Sequence, residues 1–479
     1  MKIFGDLKSL RASCHGILAE KRSGVTVLDE AALQGPWTDD VVHTAVFGST
    51  PELQGTARYL LKAAAAAVGI RLASIQGLYA ATGRGEADHF TVPAMNIRGL
   101  SYDCARAFHR AARHLDCGAF IFEIARTEMA YTGQPPHEYV AVMLGAALRE
   151  GFRGPLCIQG DHFQAKADFY FEDPDAQIAD LRQLISDTIT AGFYNIDIDS
   201  STLVVLDRPG LEEQQKDNAS VCASLTRAIR ELEPEGIQVS VGGEIGEVGG
   251  HNSTVEEFQA FMKAYRRELS EGMAGISKIS VQTGTSHGGV PLPDGSVADV
   301  KLDFDVLSSI SEVARSEYGL AGTVQHGAST LPDEAFHHFP ERGACEVHLA
   351  TGFQNQLYDH PLMPETLRDK AYSYLRENFS AERKDGQTDE QFYYKTRKKA
   401  FGAEMKREWW NLPGEVREAM GATLEQKFAF LIEQLHVRNT IELMRCHVRP
   451  PAHPASLRVE IEAAGGTFEV EDDPDSSTD

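Results

Sequence analysis

Basic residues are scarce in this 479-residue chain, with 46 Lys and Arg against 70 Asp and Glu and a formal charge of −24. Such a field repels phosphate backbones and anionic lipid, which excludes nucleic acid and membrane surfaces as general partners. Phosphorylated small molecules are still accommodated, because a few backbone N–H groups and one cation can locally outweigh a distant negative field. No C-x-x-C pair occurs among the seven cysteines, and an odd number cannot all pair within one chain, so a reducing, cytoplasmic setting is expected. The start, MKIFGDLKSLRASCHG, lacks the apolar core and small-residue cleavage site of a secretory leader. Nor is any apolar run clean enough to span a membrane. The most apolar stretch, around Leu60 to Ala81, carries Lys62, Arg71 and Gln76 and reads as a buried helix pair.

What the chain does have is bulk and rhythm. With 42% hydrophobic residues it can bury a large core. Between about Phe90 and Thr351 a short apolar run, ending in Gly or a polar residue, repeatedly gives way to an amphipathic stretch. Eight strands are predicted, at 90–97, 119–125, 156–161, 195–199, 238–245, 276–284, 322–327 and 345–351. Between them Ile178, Leu181, Ile185 and Ile189 recur at helical spacing before Gly192, and Val255, Phe258, Met262 and Tyr265 follow a Ser253-x-x-Glu256 capping box. Eight βα units in about 260 residues predict a TIM (β/α)₈ barrel. An open doubly wound sheet usually carries G-x-G-x-x-G after its first strand, and none occurs there. The expected organisation is an N-terminal extension over 1–85, the barrel over 86–365, and a helical C-terminal extension over 366–479. In that last part Phe428, Leu431, Leu435 and Ile441 form a packing face, and the tail VEDDPDSSTD reads as acidic and disordered.

Functional residues of a TIM barrel sit at the C-terminal strand ends. Here the third predicted strand ends in Asp161-His162, the fourth in Asp197-Ile198-Asp199 and the fifth in Glu244. The sixth leads into His287-Gly288-Gly289 and the seventh ends in His326-Gly327-Ala328-Ser329. Three histidines on one rim, beside carboxylates, suit a catalytic Zn²⁺-type ion with an open position for substrate oxygen. From position alone, Asp161 can orient His162, and Asp199 and Glu244 can be polar rim residues. Gly327 and Ser329 precede Pro332 as a helix start would, and can cradle a phosphate or simply make the turn. Lys278 inside the sixth strand raises a Schiff base, which the metal set makes redundant.

These segments resemble the class II, metal-dependent fructose-bisphosphate aldolases over about residues 90–355. FTVPAMNIRG is similar to that family's first strand, GDHF to its Asp-His pair, IDIDSS to its fourth strand, and GGEIGEVGG to its Glu-Leu-Gly-x-x-Gly-Gly. TGTSHGG followed by KLDFDVLSSI is the most specific match, and HGAST resembles the last metal histidine with its phosphate loop. The resemblance implies Asp161 as catalytic acid/base and His162, His287, His326, Glu244 and Asp199 around Zn²⁺, or Co²⁺, Mn²⁺ or Fe²⁺. It further implies Asn96, Gly288, Gly327, Ser329, His348 and Thr351 as substrate- and phosphate-binding residues.

The implied activity is cytoplasmic aldol cleavage of a phosphorylated ketose in carbohydrate metabolism such as glycolysis, by a homo-oligomer. The three-carbon product would be like dihydroxyacetone phosphate. The alternatives are a metal-dependent sugar-phosphate epimerase or isomerase and a non-catalytic aldolase-like subunit. Departures are confined to the substrate shell. The family's acidic pair reads His251-Asn252, leaving His251 and Glu247 as candidate proton donors. Gln159 replaces a histidine, Ala125 a serine, and Glu346-Val347-His348-Leu349-Ala350-Thr351-Gly352 replaces Lys-x-Asn-x-Asp-Thr-Asp.

Overall fold

The computed structural model describes residues 1–21, 24–246, 251–284, 292 and 302–468. An antiparallel pair, β1 (Leu18–Lys21) and β2 (Gly24–Val27), lies outside the main sheet. The eight predicted barrel strands all form, as β4 (Val92–Asn96), β5 (Ile121–Ala125), β6 (Gly154–Gln164), β7 (Asn195–Asp199), β8 (Ser240–Glu244), β9 (Lys278–Ser280), β10 (Thr323–Gln325) and β11 (Glu346–Leu349). Each pairs in parallel with its neighbours, β11 joins β4, and β6–β7 completes the ring, giving a closed TIM barrel. Alternating Val, Ile and Phe on these strands are buried on both faces, as a parallel sheet wrapped in helices requires.

Neither the β1–β2 pair nor one strand of the main sheet was anticipated. The apolar stretch read as two helices is helix Pro51–Ala67, then β3 (Ile70–Ala73), then helix Gln76–Gly83. β3 pairs with the lower half of β6, Ile70 opposite Gly154 and Ala73 opposite Cys157, below the point where β7 begins at Gln159↔Asn195. Asn195 stitches this extra strand in: its side-chain oxygen accepts from the Ile75 N–H at 2.8 Å, and its amide donates to the Ala73 and Ile158 carbonyls at 3.1 and 3.0 Å. Helical periodicity on both sides hides a four-residue strand.

Helix Pro174–Ala191 ends at Gly192 in the left-handed conformation (φ 112), as the sequence implies. The capping box of helix Val255–Glu268 is shifted by one residue, to Thr254 and Glu257. Ser253 is instead spent on the barrel, its hydroxyl accepting from the Gln282 N–H at 3.0 Å. In the C-terminal part, Phe428, Leu431 and Leu435 of the predicted face are buried and Ile441 is half-buried. Phe428 packs edge-on to Phe108 of the first barrel helix, with centroids 5.3 Å apart. The acidic tail lies outside the described residues.

Candidate active site and metal centre

Successive residues of a strand point to opposite faces, so Asp161 and His162 cannot both face the barrel axis from a regular strand. The register of β6 against β7 shifts between Gly160 and Phe163, and His162 takes φ 42 within that irregularity. This bulge turns both side chains into one space, the re-aiming that bulges near active sites supply. Gly160 makes it sterically feasible, since a Cβ there would stand 2.3 Å from the Phe163 ring.

His162 Nε2 faces His326 Nδ1 at 2.5 Å, with the two rings nearly perpendicular. On its other side His162 Nδ1 lies 3.2 Å from Glu244 Oε2 and 3.3 Å from Asp199 Oδ2. One donor atom each from His162, Glu244 and His326 fall within 4.8 Å of one another. Two imidazoles and a carboxylate at that spacing fit a zinc-type ion. Asp199 stands behind the His162 ring, accepting also from Gln164 Nε2 and from the Ser201 hydroxyl at 2.8 Å, and so orients the imidazole. Burial alone lowers the affinity of His162 for a proton, but Asp161, Glu244 and Asp199 outweigh it and raise its pKa well above the usual histidine range. Positive charge is strongly favoured at this point. His287 and Gly288 lie outside the described residues.

Asp161 faces the same space, its Oδ1 3.7 Å from His162 Nε2 and 3.2 Å from His348 Nδ1, with the Asn96 amide donating to Oδ2 at 3.4 Å. Beneath it is a buried charge network. The Lys278 ammonium donates to Gln159 at 2.7 Å, to Asp197 at 3.0 Å, and to Glu346. Glu346 also accepts from the Tyr79 hydroxyl and from His348 Nε2 at 2.6 Å, while Glu123 lies 3.1 Å from His348 Nδ1. Burial raises the Glu123 carboxyl to about 8, helped by the neighbouring Asp161 charge. Although burial pulls Lys278 down, Asp197 and Glu346 hold it charged above its usual range. An amine held protonated in this way is a poorer nucleophile than a free one.

A cavity of about 1140 Å³ opens above this floor, lined by Asp161, His162, Asp199, Glu244, His326 and His348. Asn96, Gly327, Ser329 and Thr351 line it too. Gly327 takes φ 69, and the Ser329 hydroxyl accepts from the Gly352 N–H at 3.1 Å, tying this turn to the start of helix Thr351–Tyr358. His251 does not line the cavity; it is exposed and its Nε2 lies 2.9 Å from Glu257. Glu247 lies outside the described residues.

Sequence reasoning gave no role to Glu123, Asp197 or Glu346, although a charged residue inside an apolar strand, as in IFEIA or EVHL, signals an inward polar partner. It also missed the C-terminal part's share in the site. Tyr394, Lys395 and Lys398 line the cavity, near Arg98, whose guanidinium is held by Glu128 at 2.8 Å. Their segment is locked down at Gly402, where a Cβ would stand 1.8 Å from the Tyr131 carbonyl oxygen.

A closed parallel barrel carrying acid/base and imidazole groups at its C-terminal mouth defines an enzyme of the aldolase type once its relatives are considered. The profile of the family described as fructose-bisphosphate aldolase class-II matches residues 80–432, and the chain belongs to that family. Among solved structures, a probable tagatose 6 phosphate kinase from Sinorhizobium meliloti 1021 superposes with a TM-score of 0.51 at 16% identity, over 78% of this chain and 97% of that one. The YdjI aldolase from Escherichia coli K12 gives 0.45 at 14%, over 78% and 100%. The fructose-bisphosphate aldolase of Campylobacter jejuni gives 0.45 at 17%, over 78% and 97%. At 16% identity the first of these likenesses speaks for the fold alone, and the other two carry no argument.

Proposed function

We propose that this protein is a metal-dependent aldolase that cleaves a phosphorylated ketose into a three-carbon ketone and an aldehyde. The observation that carries the reading is the convergence of His162, Glu244 and His326 beside Asp161 in one cavity. His162, His326 and Glu244, with His287, would hold a Zn²⁺-type ion. When bound, such an ion supplies Lewis acidity that lowers the cost of negative charge developing on the three-carbon fragment. Asp161 takes the proton from the C4 hydroxyl as the C3–C4 bond breaks, and becomes the acid in the reverse direction. Asn96 and His348, which flank both of its oxygens, fix the carboxylate's aim. The Gly327–Ser329 turn and the start of helix Thr351–Tyr358 receive the phosphate, and Arg98, which donates to Gln354 of that helix at 3.3 Å, makes the lining favourable to anions together with Lys395 and Lys398. Of the two candidate proton donors, His251 stands off the cavity beside Glu257, which leaves Glu247 to reprotonate the three-carbon product.

Seven unpaired cysteines, six of them buried, support a cytoplasmic setting. No helix among the described residues is long and apolar enough to cross a membrane. Incubation with ketose mono- and bisphosphates plus Zn²⁺, Co²⁺ or Mn²⁺ tests the reading. Free aldehyde is expected; a rearranged ketose without aldehyde would make the protein an epimerase or isomerase, and silence with every metal a non-catalytic subunit.

A further inference from the structure

The segment between β10 and β11 carries a cluster that the aldolase reading does not use. His337 is the N-cap and His338 the first residue of the short helix His338–Glu341, so that Glu341 lies one turn on from both. The two imidazole centroids are 3.9 Å apart, and His338 Nδ1 is 3.0 Å from Glu341 Oε2. One donor atom from each of the three residues falls within 4.8 Å of the other two. The side chains of His338 and Glu341 are 40% and 52% exposed, so an ion would arrive without the cost of burying charge. No Lys or Arg among the described residues pairs with Glu341, and the adjacent Arg342 is engaged by Asp305 at 3.0 Å. None of the three lines the cavity.

Unprotonated imidazoles present lone pairs, and two nitrogens with one carboxylate oxygen suit borderline ions. Mg²⁺ and Ca²⁺ require mostly oxygen. We propose that His337, His338 and Glu341 form a second, solvent-accessible site for a divalent transition ion of the Zn²⁺, Ni²⁺ or Cu²⁺ type, with water completing its shell. Its three ligands come from one turn, so it binds more weakly than a site built across several barrel strands, and its occupancy follows the free metal concentration.

Calorimetric titration of chelator-treated, full-length protein with Ni²⁺ at pH 7.5 tests this. The wild type is expected to show a weaker class of sites beside any tight one. His337→Ala/His338→Ala should remove the weaker class, and Glu341→Gln should weaken it about tenfold. His162→Ala should leave it in place, which separates this site from the one at the barrel mouth. A double-variant isotherm that superimposes on the wild type would overturn the proposal.

Discussion

In the proposed mechanism Asp161 is the residue on which the chemistry turns. Asp161→Asn keeps the shape, removes the base and leaves His162 able to ligate. Metal content should therefore stay near wild type while carbon–carbon cleavage falls by roughly two to four orders of magnitude, the range for losing a positioned acid/base group. Joint loss of metal and cleavage in a metal assay run beside the kinetics would make Asp161 a structural partner of His162. The order of residues at strand ends made this pair legible in sequence; the bulge that lets both face the cavity was not, because it depends on β6 pairing with β7. The network under the site was equally hidden, since Lys278 finds Asp197 and Glu346 only when strands 81 and 68 residues away close into one ring. Lys278→Met leaves both carboxylates buried without their cation. It should cost about 3–5 kcal/mol in denaturant unfolding, and a loss under about 1 kcal/mol would show the ammonium to be dispensable.

At the scale of elements, the ends of the chain meet through Glu460. This buried carboxylate, in helix Leu457–Ala463, pairs with Lys62 of helix Pro51–Ala67 and lies 3.1 Å from His137 Nδ1. Burial pushes its pKa up, but Lys62 and His137 outweigh that and bring it to about 2. Its contribution, on the order of 3 kcal/mol, is therefore complete above about pH 4.5 and is lost as pH falls toward 2. Glu460→Gln should be less stable than wild type at pH 7, and the gap should close progressively below pH 4.5 in thermal unfolding. A gap independent of pH between 2 and 5 would show that Glu460 acts through packing alone. Periodicity revealed the barrel helices well, because each buries one face. It could not reveal the segment around Gly402, whose docking rests on backbone proximity that leaves no pattern in sequence. Gly402→Ala should destabilise the protein by about 1–3 kcal/mol and, by displacing Lys395 and Lys398, raise KM for a phosphorylated ketose more than it lowers kcat. An unchanged KM would detach this segment from substrate binding.

For the whole molecule, the eight-strand rhythm was legible because parallel strands buried on both faces are continuous apolar runs ended by polar rim residues. What these residues hold was legible only in part, since His287 and Gly288 fall outside the described residues and the departures cluster around His348 and Ala125. The central claim is that cleavage at this mouth depends on a divalent ion held there. It is tested most directly by following aldehyde release from a ketose bisphosphate with chelator-stripped protein, before and after restoring Zn²⁺, in wild type and in His326→Ala. The account predicts no release from stripped protein, recovery with Zn²⁺ in the wild type, and no recovery in the variant. Undiminished release from stripped protein, abolished by borohydride through a trapped imine, would contradict it.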